Sequence, residues 1–79
     1  MDNDEAFDKF KQCAVDVLQV EPEKVTLDAR FGDDLDADSL DLVELVMALE
    51  ESFDITVEES ELEGVETVRQ AFELVTAKL

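Results

Sequence analysis

Only one stretch of this 79-residue chain, "VTLDARF" at residues 25 to 31, alternates apolar and polar side chains as a strand does, with Val25, Leu27, Ala29 and Phe31 on one side. A strand needs a partner, and no second clean alternation exists. Every other periodic segment repeats its apolar residues at three or four positions, the spacing of one helix face. The expected class is therefore all-α, and a chain of this length has room for one core and one domain, residues 1 to 79.

The first helix is expected from about residue 4 to 18, where Phe7, Phe10, Ala14 and Val17 recur with Ala6 and Cys13 beside them and Asp2, Asn3 and Asp4 lie upstream. From Gln19 to Asp38 the helical period is lost, and Pro22 suits the start of a turn. We read this span as a long ordered loop pinned to the core by Leu27, Ala29 and Phe31; loops of such length are usually functional. A second helix should start near Ser39, capped by Asp38 with Asp41 adding charge at its first turn, and end around Ser52. A short helical turn over residues 58 to 63 should stop at a left-handed Gly64. Thr67 and Gln70 form a capping box that opens the last helix, with Val68, Ala71, Phe72, Val75 and Leu79 as its stripe and Lys78 near its negative end. The expected architecture is a small bundle of three main helices and a minor fourth, with the long loop between the first two.

Charge narrows the function. Six Lys plus Arg against 23 Asp plus Glu leave a net charge of −17, which repels nucleic acid and anionic membranes and attracts basic proteins or cations. The absence of His excludes His-based metal sites and Ser–His or Cys–His nucleophilic pairs. Cys13 has no internal partner for a disulfide and reads as a core residue. The acidic start "MDNDEAFDKF" is unlike a signal peptide, and no stretch approaches membrane-spanning length, so a cytoplasmic protein without membrane insertion is expected.

The charge is also unevenly placed. Residues 31 to 68 hold 14 acids and no Lys or Arg. A solvated acidic face is the bland reading of such a run, but self-repulsion in so short a segment points to a cationic partner. On a helical wheel Leu42, Leu45, Val46, Leu49 and Phe53 make the core face of the second helix, while Leu40, Val43 and Met47 fall opposite, among Asp41, Glu44 and Glu51. A chain with few other helices cannot bury this helix on all sides. The second stripe fits a helix that docks into basic protein grooves.

Ser39 lies inside "DDLDADSLDLVELV", residues 33 to 46. As a helix-start residue it needs no chemistry. A calcium loop, suggested by Asp34, Asp36 and Asp38, fails on spacing: counted from Asp34, Ser39 occupies the sixth place and Leu45 the twelfth, where Gly and Glu are required. No specific metal site is expected, although an acidic divalent-binding interaction module stays open as an alternative. Nucleophilic catalysis lacks a base, since the neighbours are carboxylates. The remaining reading makes the serine a substrate, modified by another enzyme that supplies the base and metal and placed to receive a phosphoryl group, with Asp38 helping to hold a divalent cation.

"DADSLDLVELVMALEESFDI", residues 36 to 55, resembles the carrier signature and recognition helix of the acyl carrier proteins, most closely the freestanding bacterial carriers of type II fatty acid synthesis, and "DDLDADSLDLVE" is similar to actinobacterial members. The likeness continues in Val25, Asp28, Phe31, Asp34 and Leu35 of the loop and in Thr67 and Val68. It implies a noncatalytic carrier whose Ser39 receives 4′-phosphopantetheine from a phosphopantetheinyl transferase using coenzyme A and magnesium, with Asp38 at the metal. Acyl groups then ride on the arm as thioesters. Leu40, Asp41, Val43, Glu44, Met47 and Glu51 match the face that meets basic patches on fatty acid or polyketide synthase enzymes. Leu45, Val46, Leu49 and Phe53 are implied candidates for lining an acyl-chain pocket, and a monomer is expected. The chain departs from the family's common pattern at Asp36, where many members have Gly, and in "DITVEES", which lacks the usual proline.

Overall fold

The computed structural model describes residues 2–79. Four α-helices follow in order: α1 (Asn3–Leu18), α2 (Ser39–Phe53), α3 (Glu59–Leu62) and α4 (Val68–Ala77), with a 3-10 turn at Pro22–Lys24 inside the long first connection. Among the described residues there is no strand, and no helix is long and apolar enough to cross a membrane.

Local chemistry sets the helix ends. The Asp2 carboxylate accepts from the Glu5 amide at 2.9 Å and starts α1. Thr67 and Gln70 satisfy each other's amides at the start of α4, as their spacing predicts. Both α1 and α2 end on a non-glycine residue in the left-handed region, Gln19 at φ 56° and Asp54 at φ 55°. For Gln19 that conformation costs about 1–2 kcal/mol, so packing rather than local preference holds the end of α1, whereas aspartate enters it more readily. Gly64, at φ 83°, takes the left-handed position expected after α3.

α1 packs on both α2 and α4. Its buried residues are Ala6, Phe10, Cys13 and Ala14, while Phe7 and Val17, expected on the same stripe, sit half-buried at its margins. Phe72 of α4 meets Phe7 and Phe10 edge-on, at 5.2 and 5.9 Å between ring centroids, the arrangement aromatic quadrupoles favour. Cys13 contacts the Ser52 hydroxyl at 3.2 Å and so joins α1 to α2. From α2 the core takes Leu45, Leu49 and Phe53, with Leu42 half-buried beside them. Phe10, Leu45, Leu49, Val25, Val68 and Val75 are almost wholly enclosed, each burial contributing on the order of 1.5–3 kcal/mol.

The long connection keeps the in-and-out alternation read from its sequence, yet its anchors differ from those expected. Ala29 and Phe31 are buried, but Leu27 is only half-buried; Val25 and Leu35 are the deeper pins. The reason is a backbone link. Leu27 and Ala29 turn their carbonyls onto the first free amides of α4, with Arg69 and Val68 donating at 3.0 and 2.9 Å, and Arg30 forms an isolated antiparallel bridge with Thr67. Leu27 therefore lies at the bundle's rim, above the start of α4. Leu79, expected to extend the α4 stripe, lies beyond the helix end and is exposed.

Lys78 does more than face the helix dipole. Its ammonium lies 3.1 Å from the Glu61 carboxylate, and this pair is the least exposed of the three ion pairs among the described residues. It ties the single turn of α3 to the end of α4. The Glu58 amide and then Lys78 hold the Glu61 carboxyl below the ordinary value of 4.5. A carboxyl whose folded value is lowered stabilises the fold fully above its unfolded value, and that contribution is lost as pH falls through the folded value. A double-mutant cycle of Lys78→Met and Glu61→Gln in urea unfolding should show a favourable coupling at pH 7. The coupling should vanish at acid pH below the folded value of Glu61, even while relief of the general negative repulsion raises total stability.

Candidate functional site

Ser39 is the first residue of α2 and is exposed. Two sets of bonds place it. Asp38 Oδ1 accepts from the Asp41 amide at 2.9 Å, and Asp41 Oδ2 accepts from the Asp38 amide at 3.3 Å, a reciprocal cap that satisfies two backbone donors. Upstream, the loop closes on itself. Arg30 donates its amide to Asp34 Oδ2 at 2.7 Å, the Arg30 carbonyl accepts from the Asp34 and Leu35 amides, and the Phe31 carbonyl accepts from Ala37 at 2.7 Å. Buried Phe31 and Leu35 fix this ring to the core. The hydroxyl thus stands on a rigid frame.

Asp36 explains one departure from the family pattern. Its φ is 54°, in the region that favours glycine, and aspartate is among the few other residues that enter it readily. The turn keeps the shape glycine would allow and adds a carboxylate two residues before the cap.

Ser39 borders an open cleft of about 460 Å³. Arg30, Phe31, Gly32 and Asp33 form one wall, Ala37, Asp38 and Leu42 another, and Leu62, Val65 and Glu66 of the α3–α4 region close the far side. Sequence reading missed the contribution of Arg30, Leu62 and Val65, because only folding brings the loop and the α3 segment to the same place. The run of Val25, Asp28, Phe31, Asp34 and Leu35 was the available signal for the loop wall; nothing local marks Leu62. Among the described residues, no group of three or more Cys, Asp or Glu side chains is placed to hold a metal ion. The Asp38 cap engages Oδ1, and Oδ2 makes no hydrogen bond within the described residues.

The outer face of α2 is uncovered. Leu40 and Met47 are 64% and 61% exposed, unusual for large apolar side chains, and Val43 between them is half-buried. Glu44 and Glu51 are exposed and Asp41 half-buried around this stripe. On the inner face Leu45 and Phe53 pack in the core, while Val46 and Leu49 also line a small apolar pocket of about 10 Å³ with Val57, Leu62, Ala71, Leu74 and Val75. That volume is marginal even for one water, so anything longer enters only if the helices part. Leu62 belongs to both spaces and separates the inner pocket from the cleft beside Ser39.

Comparison with known proteins agrees with this geometry. The family described as "Phosphopantetheine attachment site" matches residues 8–75. Over all 79 residues the chain is 53% identical to an acyl carrier protein of Petrotoga mobilis, covering 93% of it. It is 43% identical over the same span to an acyl carrier protein of Thermosynechococcus vestitus, covering 98% of that protein. Over 76 residues, 96% of the chain, it is 47% identical to one from a Picosynechococcus species, covering 94% of that protein.

The cap at Ser39 can be measured directly. Asp38→Ala should lower the unfolding free energy by about 0.5–2 kcal/mol, whereas Asp38→Asn, which keeps an acceptor for the Asp41 amide, should lose only a small part of that in urea titrations.

Proposed function

The chain belongs to the acyl carrier proteins, and from that premise we propose that Ser39 is the residue to which 4′-phosphopantetheine is attached, for service in type II fatty acid synthesis. The protein is a carrier and not a catalyst, and the arm supplies a terminal thiol on which acyl groups are held as thioesters. The observation that carries the assignment is the position of Ser39: an exposed hydroxyl at the first residue of a capped helix, bordering a cleft with room for a flexible arm.

This chain contributes geometry and charge to the loading reaction, and the transferase contributes the base. Among the described residues the Ser39 hydroxyl makes no hydrogen bond to a group that would activate it, and it is exposed to an incoming enzyme. Asp38 uses one oxygen to hold α2 in shape, which leaves Oδ2 as the oxygen for a magnesium ion during transfer. The transferase is the first partner in this reading. Synthase enzymes with basic docking patches follow, meeting Leu40, Asp41, Val43, Glu44, Met47 and Glu51 on the outer face of α2. Apolar contact supplies area and the carboxylates supply steering and register. Leu45, Val46, Leu49 and Phe53 form the inner face past which an acyl chain would enter the bundle. Residues 1 to 79 act as a single acyl carrier domain, monomeric and cytoplasmic, and the charge of −17 keeps it from nucleic acid.

Incubation with coenzyme A, magnesium and a phosphopantetheinyl transferase should add the mass of one phosphopantetheinyl group, and Ser39→Ala should add none. An unchanged mass with a promiscuous, active transferase would count against the assignment. Glu44→Lys should weaken binding to synthase enzymes, most visibly at low salt, with the far-ultraviolet circular dichroism unchanged. Equal affinity at low salt would remove the docking role of this face.

A further inference from the structure

We propose that Arg30 is the binding residue for the prosthetic arm, its guanidinium taking the two non-bridging oxygens of the phosphodiester on Ser39. The inference rests on the assignment of Ser39 as the attachment point. It starts from charge. The other ionisable groups lining the cleft beside Ser39 are Asp33, Asp38 and Glu66, all acidic, and Arg30 is the one cation among its lining residues. No Lys or Arg follows until Arg69. A phosphodiester adds a negative charge to this already acidic edge, and the cleft offers a single group of opposite sign.

Placement supports the pairing. The Phe31 carbonyl bonds to the Ala37 amide at 2.7 Å, which brings the residue after Arg30 against the residue two before Ser39. The Arg30 backbone is held by Asp34, Leu35 and the bridge to Thr67, so the side chain projects from a fixed base. Its guanidinium is free to turn. Among the described residues the only ion pair it makes is with Asp33 at 3.6 Å, with the two side chains 65% and 78% exposed. Such a pair is worth little, and a bidentate Arg–phosphate contact displaces it readily. The docking face of α2 carries no cation, so a partner enzyme's basic patch would compete with Arg30 for the arm only when it docks.

The test uses the ¹⁵N-labelled full chain, converted from apo to holo with coenzyme A, magnesium and a transferase. Mass spectrometry separates the two claims first: no mass gain, or a gain that persists in Ser39→Ala, overturns the attachment site. Where Ser39 is modified, the Arg30 Nε–Hε signal should shift and exchange more slowly with solvent on conversion, and both changes should collapse at high salt. The ³¹P signal of the holo protein should move in Arg30→Gln toward its position in the urea-unfolded chain, return partway in Arg30→Lys, and move the opposite way in Asp33→Asn, where the competing carboxylate is gone. Circular dichroism of the variants should match the parent, since the side chain is exposed. A holo protein whose Arg30 Nε–Hε signal is unmoved, or whose ³¹P signal is the same in Arg30→Gln, overturns the role of Arg30 and leaves the attachment at Ser39 standing.

Discussion

The bonds from the Val68 and Arg69 amides to the Ala29 and Leu27 carbonyls hold the rest of the structure in register. The first turn of a helix has donors with no partner inside the helix, and a loop without secondary structure has acceptors in the same condition. Here each supplies what the other lacks. The link lets a connection of some twenty residues lie ordered across the bundle, and Val25, Ala29, Phe31 and Leu35 then bury themselves beneath it. It also sets where the loop turns back, through the Arg30 carbonyl and the Phe31–Ala37 bond, and therefore where α2 begins. Loosening the start of α4 would reach Ser39 through this chain of bonds.

The distribution of the six basic residues is as informative as the excess of acids. Lys9 donates to the Ser52 carbonyl and lies over the Phe53 ring, and Lys11 lies over Phe7. Arg69 pairs with Asp28, Lys78 with Glu61, and Arg30 with Asp33. None of these pairs involves Asp41, Glu44 or Glu51. The acids around the outer stripe of α2 are thus uncompensated within the described residues, where only Asp28, Asp33 and Glu61 have ion-pair partners. Repulsion among them weakens the isolated fold, and under the proposed docking role a basic surface would relieve it.

Much of this was legible in the sequence because helices in a small bundle announce themselves by period and cap. The Asp38 and Thr67 caps, the left-handed Gly64 and the two faces of α2 each follow from residues within one or two turns of one another. The errors share a cause. Leu27 looked like an anchor from its place in an alternating run, yet its depth was decided by a bond to Arg69, more than forty positions away. Leu79 continued an apolar stripe past the point where the helix stops. The wall that Leu62 and Val65 give to the cleft has no local signature, since α3 is a single turn positioned by an ion pair to Lys78 and by the Glu58–Glu61 cap.

The first residue of α2 is a physically favourable place for a serine with the role proposed for Ser39. In mid-helix its hydroxyl would compete for the carbonyl four residues back, and a phosphodiester there would meet no complementary field. At the helix start the dipole favours negative charge, which partly offsets the acids gathered around Asp38. The same helix carries a buried face that holds it rigidly and an exposed face that a partner can grip. Under the proposed roles, a protein that seats Leu40 and Met47 would receive Ser39 in a set orientation, because one rigid element bears both the exposed stripe and the serine.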